Sequence, residues 1–126
     1  MKLSSWSLTG AVSIGAIFGA LLRFWMQRWF NSSTLTPLGT FLVNSAGAFV
    51  LGLTVGWVGQ KAHTPWFYGI TAGFCGSLTT FSSIVLELFE MIRLEEPFRA
   101  IVYLTLTVIV GMMSLLLGYW LGSKLF

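Results

Sequence analysis

The stretch Gly73-Phe74-Cys75-Gly76-Ser77-Leu78-Thr79-Thr80-Phe81 lies within an apolar run from about Trp66 to Ile92. A run of that length crosses roughly 30 Å of hydrocarbon as a helix rising about 1.5 Å per residue. A continuous helix facing lipid would carry leucine at that depth. Here Gly73, Gly76, Ser77, Thr79 and Thr80 gather instead, which predicts local unwinding near mid-membrane. Unwound backbone leaves carbonyl and amide groups without partners, each a costly defect unless something satisfies it. The spacing admits two readings. Freed carbonyls form a hard-oxygen site suited to an alkali cation, with the half-helix after the break pointing its positive end at whatever sits there. Alternatively, the segment is a hydroxyl-rich kink that holds no ligand.

Three further apolar runs flank this one: about Leu8 to Phe30, Leu38 to Gly59 and Ala100 to Gly122. The links between runs, Asn31 to Pro37, Gln60 to Pro65 and Arg93 to Arg99, each contain proline and are short enough only for hairpin connections. The chain is 56% hydrophobic and 9% charged, against about 25% charged in soluble domains, so its charges cannot cover a soluble surface. The 126 residues therefore read as one transmembrane domain, 1–126, of an all-α integral membrane protein with four transmembrane helices, the third broken. Trp6, Trp25, Trp29, Trp57, Trp66 and Trp120 all fall near expected span ends, as an interfacial aromatic belt requires. The apolar stretch after Met1-Lys2-Leu3 runs on through Leu21-Leu22 with no clear small-residue cleavage site, which favours a retained first span over a signal peptide.

The net charge of +3 is scattered along the chain, so no nucleic-acid patch is expected. Cys75, the single cysteine, excludes an internal disulfide and reads as a buried, inert thiol. His63 has no partner at metal or triad spacing and reads as an interfacial loop residue; no enzyme motif is present. An even number of spans sets Lys2, Lys61 and Lys124 against Arg28, Arg93 and Arg99, a tie tipped only by Arg23. Dual insertion and a weakly biased single orientation both fit that balance. Gly15 with Gly19, and Gly52 with Gly56, form GxxxG pairs suited to close helix contact with partners that the spacing does not name.

Three polar side chains fall within or at the edge of the hydrocarbon: Arg23, Asn44 and Glu87. Such residues mark either a pathway or a structural bond. Asn44 has two amide protons, suited to a dehydrated anion or to a neighbouring helix carbonyl. Arg23 either lines a polar site or snorkels to the interface. Glu87 is either a pathway residue or a solvated helix end.

At these residues the chain resembles the Fluc (CrcB) fluoride channels over essentially its full length. Gly15-Ala-Ile-Phe-Gly19-Ala-Leu-Leu-Arg23-Phe looks like the family's glycine-to-arginine signature, Gly39-Thr-Phe-Leu-Val-Asn44-Ser-Ala-Gly47 like its second-span motif, and Gly73-Phe-Cys-Gly76-Ser-Leu-Thr79-Thr80-Phe81-Ser82 like its third-span motif. The resemblance implies an antiparallel, dual-topology dimer in the cell's inner (plasma) membrane that lets fluoride leave passively through two pores at the dimer interface. It implies Asn44, Thr80, Phe81, Ser82 and Ile84 along the fluoride path, with Asn44 the pore asparagine and Phe81 presenting a ring edge, the positive end of the aromatic quadrupole, to the anion. Arg23 and Glu87 are implied near the vestibules. The carbonyls of Gly76 and Thr79, with those of a second subunit, are implied to hold a structural sodium ion.

The chain departs from the family pattern at Ile84, where a second pore phenylalanine is usual, and at Val85, where a serine is usual. Hydroxyls expected along the fourth span read as replaced by glycine, methionine or leucine. A specialised, weakly conducting subunit of a heterodimer is therefore an alternative reading. A proton-coupled multidrug-type exporter is a remote one, since all four acids lie at or after Glu87 and none in the first span.

Overall fold

The computed structural model describes residues 4–59 and 63–125. Lys2 and Lys61, both part of the charge comparison, lie outside the described residues. Four helical spans are long and apolar enough to cross a membrane: Ser5–Phe30, Leu38–Val58, Pro65–Arg93 and Pro97–Leu125. Helix α1 (Ser5–Phe30) stops where Asn31 turns extended, its N–H closing on the Gln27 carbonyl. The chain reverses through a small antiparallel hairpin, β1 (Asn31–Ser33) and β2 (Thr36–Pro37), into α2 (Leu38–Val58). Helix α2 ends at Gly59, whose φ of 53° suits a residue without Cβ.

The third span is the broken one. It opens as α3 (Pro65–Tyr68), with proline in the first turn where its missing N–H costs nothing. It continues as a π-helical stretch, Gly69–Cys75, and a single turn, α4 (Gly76–Leu78), then resumes as α5 (Phe81–Arg93). The unwound residues are Thr79 and Thr80 alone, both extended. Gly73 and Gly76 remain helical, so the unwinding expected around the whole cluster is confined to its C-terminal end. The physical reason at Gly73 is packing: a Cβ there would lie 2.5 Å from the Val12 carbonyl oxygen of α1. A long final helix, α6 (Pro97–Leu125), completes the chain.

The GxxxG pairs now have partners. Gly15 and Gly19 of α1 press against backbone carbonyls of Gly69 and Phe74 in the third span. Gly52 and Gly56 of α2 meet carbonyls of Leu115 and Tyr119 in α6, while Gly118 and Gly122 of α6 meet carbonyls of Phe49 and Leu53 in α2. Van der Waals contact between such smooth faces drives association in lipid, where apolar burial does not. Gly118→Val is expected to lower stability by about 3 kcal/mol, because the atoms in its way are backbone and cannot swing aside. Thermal unfolding of the purified protein in detergent reads that loss.

Outward faces carry the bulk of the apolar side chains. Ile17, Phe18, Val108 and Met113 are exposed, which hydrocarbon tolerates. The compact apolar cluster is small: Ile84, Met91, Ala100 and Tyr103, with Leu35 of the hairpin tip and Leu88 against it.

Candidate functional site

At the break, the Thr80 N–H would close on the Gly76 carbonyl if the helix were continuous. It donates instead to Asn44 Oδ1 of α2 at 2.7 Å. The Asn44 amide nitrogen donates back to the Thr80 carbonyl at 3.3 Å and to its own helix at the Thr40 carbonyl, 3.0 Å away. One side chain thus replaces the helical bond that the Thr80 N–H has lost and adds a donor to the Thr80 carbonyl, which as the N-cap of α5 also accepts that helix's first bond. Thr80 Oγ1 accepts from the Ser83 N–H at 3.1 Å and caps α5, so a helix N-terminus begins inside the span. Arg23 does not snorkel: its Nη1 approaches the Thr79 carbonyl oxygen at 3.4 Å.

Beside this junction lies a groove of about 400 Å³ between α2, the break and α6, lined by Asn44, Thr79, Thr80, Phe81, Ile84 and, from α6, Thr107, Gly111, Met112 and Leu115. Phe81 stands on its rim, 78% exposed, whereas Ile84 is buried and also belongs to the apolar cluster. Ser82 faces outward, its hydroxyl 3.2 Å from that of Thr80. Thr107 Oγ1 is shut off from the surface and has no hydrogen-bond partner. The fourth-span expectation is thereby corrected in part. Gly111, Met112 and Leu115 do line the groove, but Thr107, one turn before Gly111, keeps a hydroxyl there.

Glu87 is not a solvated helix end. It is 8% exposed, and Thr40 Oγ1 donates to its Oε1 at 2.5 Å while the Tyr103 hydroxyl donates to Oε2 at 2.6 Å. Gln27 Nε2 joins Thr40 Oγ1 at 3.0 Å and Ser83 Oγ at 3.1 Å. Asn31 Nδ2 joins Thr40 Oγ1 at 3.1 Å and reaches Glu87 Oε1 at 3.5 Å. Arg23 and Glu87 do not pair; among the described residues the ion pair is Arg93 with Glu90, on the exposed end of α5. The structure thus joins Asn44, Thr79, Thr80, Phe81 and Ile84 at one groove and sets Glu87 in a second polar cluster. Sequence reading missed Gln27, Asn31, Thr40, Tyr103 and Thr107. Tyr103 and Thr107 stand four residues apart on one face of α6, a signal that was available, whereas Asn31 lies just past the end of α1.

Among the described residues no group of three or more His, Cys, Asp or Glu side chains could hold a metal, so a cation in the break would depend on backbone oxygens. Two neutral oxygens of the right kind stand at the break: the Gly76 carbonyl, which has lost the Thr80 N–H, and the Thr79 carbonyl, which Arg23 Nη1 also approaches. Neutral carbonyl oxygens are the ligands hard cations prefer.

Four spans, a helix opened at mid-membrane and a hydroxyl-bearing groove at the opening define a small multi-pass membrane protein with a polar interruption in its hydrocarbon layer. A family profile described as "CrcB-like protein, Camphor Resistance (CrcB)" matches residues 10–119. The chain is 37% identical over 114 residues to "Fluoride-specific ion channel FluC 2" of Bacillus cereus (strain ATCC 14579), covering 89% of this chain and 94% of that relative. It is 35% identical over 121 residues to "Fluoride-specific ion channel FluC" of Haemophilus ducreyi, covering 91% and 95%, and 33% identical over 116 residues to the protein of the same name from Thermococcus onnurineus, covering 90% and 94%. The chain belongs to the CrcB (FluC) family.

Proposed function

We propose that this protein is a fluoride-selective channel of the plasma membrane that lets fluoride leave the cytoplasm by passive diffusion. The reading is carried by the named relatives, fluoride-specific ion channels matched along nine-tenths of the chain, together with the polar groove at the Thr79–Thr80 break. Those relatives are channels, not enzymes. A small anion must exchange its water shell for other donors. The groove offers the positive N-terminus of α5, the ring of Phe81 and the nearby Arg23 cation, with the hydroxyls of Thr80 and Thr107 packed in its wall. Neither the specialised-subunit reading nor the proton-coupled exporter is favoured by these relatives.

The functional unit is a dimer of two such chains in opposite orientations. Phe81 is 78% exposed and Gly76 is exposed beside a carbonyl with no helical partner. Polar backbone of this kind is not tolerated against lipid, so a second copy covers it. The carbonyls of Gly76 and Thr79 from both copies would hold a structural sodium ion. Such an ion supplies positive charge that fixes the two breaks against each other.

The test is fluoride efflux from liposomes containing the purified chain alone, followed with a fluoride electrode. Fluoride is expected to leave without an imposed proton gradient, and chloride to stay. Efflux that requires a proton gradient, or equal passage of chloride, overturns the reading.

A further inference from the structure

We infer that Asn31 is a positioning residue for the fluoride path, acting through the Thr40 hydroxyl and Glu87; this rests on the channel reading above. Asn31 stands where α1 gives way to β1, and its two amide atoms have separate tasks. Oδ1 accepts from the Gly39 N–H at 2.7 Å and the Thr40 N–H at 3.2 Å, capping the start of α2. Because backbone N–H groups only donate, the amide cannot be turned round, and Nδ2 must face Thr40 Oγ1 at 3.1 Å and Glu87 Oε1 at 3.5 Å.

The consequence falls on Thr40. A hydroxyl has two acceptor lone pairs and one proton. Amide protons from Gln27 and Asn31 engage both lone pairs, so the single proton has nowhere to go but Glu87 Oε1, at 2.5 Å. Tyr103 sends its own proton to Oε2. Tyr103 lies one turn before Thr107 on α6 and packs against Ile84. The cluster abuts the groove: Ser83 Oγ accepts from Gln27 on one side and from Thr80 Oγ1 on the other, and Ile84 lines the groove. The hydroxyl protons of Thr40 and Tyr103 converge on the Glu87 carboxylate, and holding that negative charge paired and fixed keeps it from repelling an anion beside it.

Asn31→Asp and Asn31→Ser each keep an oxygen to cap α2 and lack the amide protons that reach Thr40 and Glu87. Both are expected to give folded protein eluting at the wild-type position, Asn31→Ser melting near it and Asn31→Asp lower because its second carboxylate oxygen faces Glu87, while fluoride efflux from liposomes falls about tenfold. Thr40→Val is expected to fall similarly, and Asn31→Ser combined with Thr40→Val to fall no further than the lower single variant, because the amide acts through that hydroxyl. Wild-type efflux from either cap-retaining variant overturns the inference. So do losses that multiply in the double variant. Failure of both cap-retaining variants to fold also overturns it, by reducing Asn31 to a structural role. A wild-type chain that releases no fluoride overturns the channel reading itself, a result distinct from an active wild type with equally active variants.

Discussion

Asn44→Leu is expected to abolish fluoride efflux and to lower stability by several kcal/mol. Asn44 closes the N–H of Thr80 and adds a second donor to its carbonyl, and leucine of similar volume leaves the N–H open. Each buried backbone group left open costs about 1–3 kcal/mol, and in hydrocarbon water cannot compensate. The break is then expected to shift toward continuous helix, with Thr80 N–H returning to the Gly76 carbonyl, which erases the start of α5 inside the membrane. Asn44→Asp separates the two roles. It keeps an acceptor for Thr80 N–H and adds negative charge beside the groove, so more folded protein than Asn44→Leu but equally little efflux is expected. Thermal unfolding in detergent and efflux from liposomes measure the two roles independently. Normal efflux from Asn44→Leu would show that the break is not the path.

Phe81→Ala is expected to reduce efflux at least about tenfold, equivalent to about 1.4 kcal/mol at the barrier, with little change in the fold of the single chain. The side chain is 78% exposed on the groove rim and absent from the apolar cluster, so truncating it opens no cavity within the subunit. On the proposed channel reading, the second phenylalanine that the family resemblance implies is Ile84 here, buried with Met91, Ala100 and Tyr103. The one ring that remains therefore carries more of the burden of replacing water. A Phe81→Ala protein with wild-type efflux would move the path away from the groove.

The spans were legible because membrane crossing asks only for length and apolar composition, both local properties. The break was legible as a polar cluster but was spread too widely, because glycine has two uses that look alike in a string of letters. At Gly73 it lets α1 approach, and the helix continues; at Thr79 and Thr80 there is no glycine, and the helix opens. Asn44 was legible because an amide in hydrocarbon needs a reason. The ring of Gln27, Asn31, Thr40 and Tyr103 around Glu87 was not, since each is unremarkable alone and the pairing of donor with acceptor arises only when α1, α2, α5 and α6 meet. Thr107 was overlooked for a similar reason: its place in the groove depends on the rotation of α6 about its own axis.

Gly39 brings the second span against Met26 and Gln27 of the first, but the paired glycines link first span to third and second to fourth. A nascent chain halted after its second span therefore holds Gly15, Gly19, Gly52 and Gly56 with nothing to meet. Assembly must therefore wait for synthesis of the last helix, whose Gly118 and Gly122 occupy its final turns.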